Sequence, residues 1–354
     1  MGDFLQRVGI ELPIIQAPMA GGPDTPALAA AVGNAGALGS IGCAYLPAAR
    51  IEAVAVELRR LSERPFALNL FVRADEPGDE AARDRVQPVL REFRRELGLG
   101  DESRAAAAAS DGFEAQLEAV LRVRPRVFSF TFGMPTREQL AQLRARDIVV
   151  VGTATNVDEA EALAALGVDA VCAQGAEAGG HRGTFLGRFE DSLIGTMALV
   201  RQIVRRVRVP VIAAGGIVDG EGIRAALQLG AAAAQLGTAF MTCPEAGTPP
   251  AHREALLSPS ARRTVVTRAF SGRPARGIRN RFSDAFERLE AAPFPQHQRL
   301  TAEIRAAATA QKRVDLMQLW AGQGAPLVRS MPAAALVETL AREAGLLDTG
   351  LAKE

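Results

Sequence analysis

The sequence predicts an α/β fold, a (β/α)8 TIM barrel with a smaller, mainly helical cap subdomain formed by insertions. Three observations carry this expectation. Eight short apolar runs bounded by glycine or proline recur along the 354 residues. Helical patterns fall between most of them, the alternation expected of a parallel barrel. Glycine-rich loops follow the sixth, seventh and eighth runs, at the strand ends where such barrels carry their chemistry.

The runs span residues 13–17, 37–41, 66–71, 127–130, 148–151, 170–173, 211–214 and 232–236. Most are continuous rather than alternating, as strands covered on both faces are. Helices are expected over 26–32, 48–61, 137–145, 157–166, 192–207 and 222–229, with Asn156 and Asp219 placed to cap two of them. The barrel therefore takes residues 1–72 and 125–243. Residues 73–124, long, charged and alanine-rich through 105–109, read as a helical insertion. Residues 244–325, with proline clusters at 249–250 and 293–295, read as a second, and the two are expected to pack together as a cap beside the barrel mouth. Residues 326–354 carry an amphipathic helix through Ala335, Leu336, Leu340 and Leu346, returning to the barrel wall.

Composition removes several function classes. The 41 basic and 40 acidic residues leave a net charge of +1, which gives no overall reason to bind nucleic acid or an anionic membrane. An arginine run through 262, 263, 268, 273, 276, 279 and 281 lacks interleaved stacking aromatics and reads as loop anchoring. Cys43, Cys172 and Cys243 show no CxxC spacing, so neither a disulfide framework nor a zinc site is expected. Met1–Ile10 lacks the apolar core of a signal peptide, Gln6 spoils a myristoylation signal, and no apolar stretch reaches membrane length. A cytoplasmic protein is expected.

The loops carry the candidate chemistry. Gln174-Gly175-Ala176-Glu177-Ala178-Gly179-Gly180-His181-Arg182-Gly183 sets one of only three histidines among four glycines, a place for an acid–base group or an anion partner. Gly215-Gly216 and Gln235-Leu236-Gly237-Thr238 follow the seventh and eighth runs, where backbone N–H groups commonly hold a phosphate; their glycines could equally serve only tight turns. Asn69 inside the third run, and Gln174 and Gln235 at strand ends, could bond neighbouring backbone or read the polar edge of a planar ligand such as an isoalloxazine. No GxGxxG between strand and helix, no HExxH, no Walker A sequence and no GxSxG is present. His252 and His297 are expected at the surface, and Cys172 in the core.

With these residues in view, the chain resembles the class I nitronate monooxygenases, formerly called 2-nitropropane dioxygenases. The resemblance rests on Pro13-Ile14-Ile15-Gln16-Ala17-Pro18-Met19-Ala20-Gly21-Gly22, Gly36-Ala37-Leu38-Gly39-Ser40, Pro65-Phe66-Ala67-Leu68-Asn69-Leu70-Phe71 and the Glu177–Gly183 string. It continues through Phe270-Ser271-Gly272-Arg273-Pro274-Ala275-Arg276-Gly277 and Trp320-Ala321-Gly322-Gln323-Gly324. It implies a barrel binding FMN without a nicotinamide, and oxidation of alkyl nitronates, with neutral nitroalkanes left open, by O2 to a carbonyl compound and nitrite. Carried over by motif, Met19, Asn69, Gln174, Gly179, Gly180, Gly215, Gly216, Gln235, Leu236, Gly237 and Thr238 would contact FMN, and His181 would be the catalytic histidine. No metal is implied, and homo-oligomerisation is left open. Thr131 stands where relatives often carry histidine, and Tyr45 is the single tyrosine. A more apolar substrate pocket is therefore expected, through Phe132, Met134 and Phe294. The rival readings are an FMN-dependent NADH enoyl-acyl-carrier-protein reductase of related type, a non-catalytic flavin-binding module and a flavin-free sugar-phosphate isomerase.

Overall fold

The computed structural model describes residues 2–72, 78–102 and 111–347. Eight parallel strands form the barrel: β1 (Ile14–Gln16), β2 (Gly39–Gly42), β3 (Phe66–Phe71), β4 (Val127–Thr131), β5 (Val149–Ala154), β6 (Ala170–Gln174), β8 (Val211–Ala214) and β9 (Ala233–Leu236). Between β6 and β8 a two-residue strand, β7 (Gly180–His181), leaves the barrel. It joins β10 (Thr264–Thr267) and β11 (Ala275–Ile278) in a small antiparallel sheet. The barrel order is β1-β9-β8-β6-β5-β4-β3-β2, and a parallel bridge between Ile15 and Leu38 brings the two ends together. Each expected apolar run becomes one barrel strand.

Period-two geometry sorts these strands into two layers. Leu68 and Leu70, Phe128 and Phe130, and Val171 and Ala173 face outward into the main helical core. Their neighbours Ala67, Val127, Val149, Ala170, Ile212 and Ala233 face inward and are sealed below by Phe4, Val8 and Ile10. Higher on the same inward columns stand Asn69, Ser129, Thr153, Gln174 and Gln235, which line a cavity. The interior thus changes from apolar to polar along the barrel axis.

Helix starts follow capping chemistry. Thr25, Asn156 and Asp219 accept the N–H groups of Leu28, Glu159 and Gly222 at the heads of Pro26–Asn34, Val157–Leu166 and Gly220–Gln228. The C-terminal helix Ala333–Glu343 buries Leu336, Val337, Leu340 and Ala341 in the main core. It packs against Pro26–Asn34 and Gly220–Gln228, so the last helix of the chain fills the gap in the outer ring. Residues 348–354 lie outside the described residues.

A second core joins Val86, Leu90 and Phe93 of the helix Glu80–Glu96 to Phe270, Phe282, Ile304 and Leu316. The insertion expected over 73–124 divides between the two cores. Glu80–Glu96 belongs to the second, whereas Phe113–Val123 packs on Ala48–Leu61 and places Leu117, Val120 and Leu121 in the barrel core. Both helices are amphipathic, and an apolar stripe alone does not say which core it meets. The alanine run 105–109 lies outside the described residues. The three-stranded sheet has no counterpart in the sequence reading, because β7 pairs with a segment far along the chain.

Candidate active site

The mouth of the barrel opens into a cavity of about 740 Å³. Its floor is the polar end of the inward columns, and its walls are the glycine loops. Met19, Asn69, Gln174, Gly179, Gly180, His181, Gly215, Gly216, Gln235, Gly237 and Thr238 all line it. Leu236 is the exception, for its side chain is fully buried in the outer helical layer. Strand alternation sends it away from its neighbours Gln235 and Gly237.

His181 sits on a paired strand rather than in a loose loop: Ala275 of β11 lies opposite it. Gln174 at the end of β6 holds the same segment, donating from Nε2 to the His181 carbonyl at 3.0 Å and accepting the Gly183 N–H at 2.8 Å. Both ends of this amide are engaged by protein. Beneath it lies Arg182, 6% exposed, whose guanidinium donates to the carbonyls of Gln174, Thr155 and Ser192. Burial pushes its pKa down to about 10, while Glu159 and Glu177 oppose the fall.

The His181 imidazole meets the Ser271 hydroxyl through Nε2 at 2.8 Å. That hydroxyl also accepts from the Arg273 N–H and can donate to the Arg273 carbonyl, both at 3.2 Å. A hydroxyl can therefore serve either tautomer of the ring while fixing its direction. Phe71, Phe132, Phe294 and Trp320 surround the imidazole, with ring centroids 5.6–6.4 Å away. Arg273 covers Phe132 from the other side at 3.8 Å.

The loop after β1 is organised by Asp24. Its carboxylate accepts the Met19 N–H at 2.5 Å, the Gly42 N–H at 2.7 Å and the Gln16 amide at 2.9 Å. Burial raises its pKa to about 7 against these three hydrogen bonds, which favour the charged form. Gly216, with φ of +72°, occupies the left-handed region, and a Cβ there would come within 3.0 Å of Glu177 Cβ. Gly180, φ +75°, has nothing within 4 Å of such an atom, because it faces open cavity.

Several expectations are corrected here. His252 and His297 are not at the surface: they are 5% and 0% exposed. Burial pushes both pKa values down to about 4. Met134 is 39% exposed and does not line the cavity. The wall around His181 is apolar. The cap side is mixed, with His252, Gln298, Arg305, Thr309 and Gln318 lining the cavity beside Ala302, Ala306, Ala310, Met317 and Trp320. Arg305 donates to neutral oxygens, those of Thr301 Oγ1, Gln318 Oε1 and the Gln298 carbonyl, at 3.0–3.2 Å. It is half-buried and lines the cavity, and burial holds its pKa below the usual arginine value. Alanines at 302, 306 and 310 on the same helix leave room in front of it. The sequence signal for it is a lone arginine within an alanine stripe.

Cys172 also lines the cavity floor, where Gln235 Nε2 reaches its sulfur at 3.4 Å. The three thiols are buried and free, and burial pushes each up to about 12, so they stay protonated at neutral pH. Among the described residues no cluster could hold a metal ion, and no helix is long and apolar enough to cross a membrane. Five arginines of the basic run do anchor loops: Arg268, Arg273 and Arg276 bond backbone carbonyls, and Arg279 and Arg281 meet carboxylates.

Comparison with known proteins agrees with this geometry. The chain is 46% identical over 347 residues to the nitronate monooxygenase of Pseudomonas aeruginosa, covering 96% of this chain and 98% of that one. Among solved structures, the nitroalkane oxidase from Streptomyces ansochromogenes superposes with a TM-score of 0.90 at 42% identity, covering 95% of this chain and 96% of that one. FabK from Thermotoga maritima superposes with a TM-score of 0.74 at 28% identity, covering 97% and 96%. The model of the family described as nitronate monooxygenase matches residues 4–343, and the chain belongs to that family of oxidoreductase enzymes.

Proposed function

We propose that this enzyme oxidises alkyl nitronates, and nitroalkanes through them, with FMN as its cofactor and O2 as oxidant, giving a carbonyl compound and nitrite. The carrying observation is the placement of His181 in an aromatic box within the same cavity as Gly215, Gly216, Gln235, Gly237 and Thr238. These residues suit a flavin mononucleotide. The glycine loops can bring backbone N–H groups to a single phosphate. Gly237 leaves its nearest neighbours, Ala17 Cβ and Met19 Sδ, 3.5 Å or more from where a Cβ would stand. Asn69 and Gln235 present amides along the floor. FMN held there would supply the redox chemistry that links oxidation of the substrate to O2.

The chain's own residues divide the remaining work. Arg305 is a half-buried cation whose hydrogen bonds go to neutral oxygens, which favours an anion in front of it. It therefore draws an anionic nitronate towards the cavity and holds it there. His181, oriented by Ser271, pairs with the nitronate, and removes the α-proton when a neutral nitroalkane is the substrate. Phe71, Phe132, Phe294 and Trp320 exclude water around it. The cap, formed by the helix Glu80–Glu96 and residues 244–325, supplies Arg305 and Trp320.

The test of the cofactor is the mass of the small molecule released from the purified protein on heating. FMN is the expected product. FAD, or no flavin retained after reconstitution with FMN, contradicts the proposal. The FabK likeness keeps an NADH-dependent enoyl reductase as the rival, separated by supplying NADH with an enoyl thioester.

A further inference from the structure

His252 stands outside the machinery assigned above, and its chemistry is fixed by one contact. It lies on the helix Pro250–Leu256, 5% exposed, and lines the cavity. Its Nε2 meets the Trp320 carbonyl at 3.1 Å. A carbonyl oxygen can only accept, so Nε2 carries the ring proton and Nδ1 is an unprotonated acceptor. Nδ1 makes no hydrogen bond to any described residue, and it is not among the buried polar atoms left without partners. It therefore reaches accessible space, which for this residue is the cavity. Burial holds the imidazole near pKa 4, so the acceptor persists through neutral pH. The same residue, Trp320, meets both histidines, its backbone carbonyl accepting from His252 and its ring lying 5.6 Å from the His181 ring.

We propose that His252 is a specificity-determining residue that selects substrates carrying a hydrogen-bond donor, a hydroxyl or N–H, on the carbon chain beyond the reacting centre. The inference rests on the reading that the ligand lies between His181 and the cap. A donor-bearing ligand satisfies Nδ1, whereas a plain alkyl chain displaces the water there and leaves the acceptor unpaired. Sites built to hydrogen-bond one substrate group discriminate strongly against analogues that lack it.

The test measures dissociation constants of an unreactive matched pair, butanoate and 4-hydroxybutanoate, on the flavin-loaded enzyme. Flavin absorbance and emission from Trp320, the single tryptophan of the chain, report occupancy. The native protein is expected to bind the hydroxylated acid at least tenfold more tightly. His252→Phe should abolish that preference with flavin content intact. His252→Asn, which places an amide oxygen near the position of Nδ1, should retain much of it. Equal affinities in the native protein, or a preference that survives His252→Phe, overturn the proposal. Loss of flavin from both variants overturns it too, because His252 would then serve the cofactor. Binding needs no turnover, so a failure to oxidise any nitronate would contradict the proposed reaction and leave this measurement standing.

Discussion

In the proposed reaction two side chains of the cavity, His181 and Arg305, work in different electrostatic settings. His181 is held by Ser271 and surrounded by edge-on and tilted aromatic rings, so its loss should affect turnover and not the fold. His181→Asn is expected to keep FMN and lose at least a hundredfold in kcat, the usual scale for a removed acid–base group. A larger fall with nitroalkanes than with their nitronates identifies proton removal; equal falls identify binding, and unchanged activity with both removes His181 from the mechanism. Arg305 makes a different prediction, because an anion contact is made in ground and transition states alike. Arg305→Met should raise KM for nitronates with little change in kcat, costing about 1.5–3 kcal/mol in kcat/KM, the range for hydrogen bonds to charged groups. An unchanged KM would contradict the anion role. His297 predicts a pH effect. Its folded pKa lies near 4 and its unfolded value near 6.5, so the stability it contributes is present above 6.5 and is lost as pH falls towards 4. At pH 5.5 the loss is about 1 kcal/mol per such histidine, and His252 adds a second. Asp24 acts oppositely, since its raised pKa makes the fold gain stability as pH falls through about 7. Urea unfolding at pH 7.5 and 5.5 should therefore show a smaller loss, or a larger gain, in His297→Gln than in the native protein. Identical pH slopes would refute this assignment.

Elements explain why some of this was legible and some not. The barrel strands were plain because each is a short continuous apolar run, and the glycine loops were plain because glycine at a strand end has few other uses. Asn156 and Asp219 announced their helices through capping. The strand β7 was invisible: two residues, Gly180 and His181, have no periodicity, and their partners at Ala275 and Arg276 lie far along the chain. Arg305, Ser271 and His252 were missed for a related reason. They come from the cap, whose segments have no repeating pattern to place them against the barrel mouth. His252 and His297 looked like surface residues because polarity was the only available guide, whereas carbonyls of Trp320 and Ala269 each engage one ring nitrogen, Nε2, inside. The C-terminal helix tests this scale. Leu340→Ala removes a fully buried side chain from between two ring helices, and should destabilise the protein by about 2–5 kcal/mol. Its effect on kcat should be small, because no residue of the helix lines the cavity. A change under 1 kcal/mol by denaturant titration would show that this helix does not close the ring.

At the scale of the whole molecule, one cavity is shared between two cores. The barrel offers amides, glycine loops, Phe71 and Phe132, and the segment after it offers Arg305 and Trp320, the latter packed on the second core. The family resemblance carried the fold. It did not carry the mixed lining of the cap side, where polar groups stand beside alanines, Met317 and Trp320. The central claim is oxidation of a nitronate at this cavity without nicotinamide. Its most direct measurement follows O2 consumption and nitrite release together, with propionate 3-nitronate, ethylnitronate and longer alkyl nitronates, in the absence of NADH. The account predicts coupled O2 uptake and nitrite formation, with the highest kcat/KM for the substrate carrying an added anionic group. No nitrite from any of them, with rapid NADH oxidation on an enoyl thioester, would contradict it in favour of the reductase.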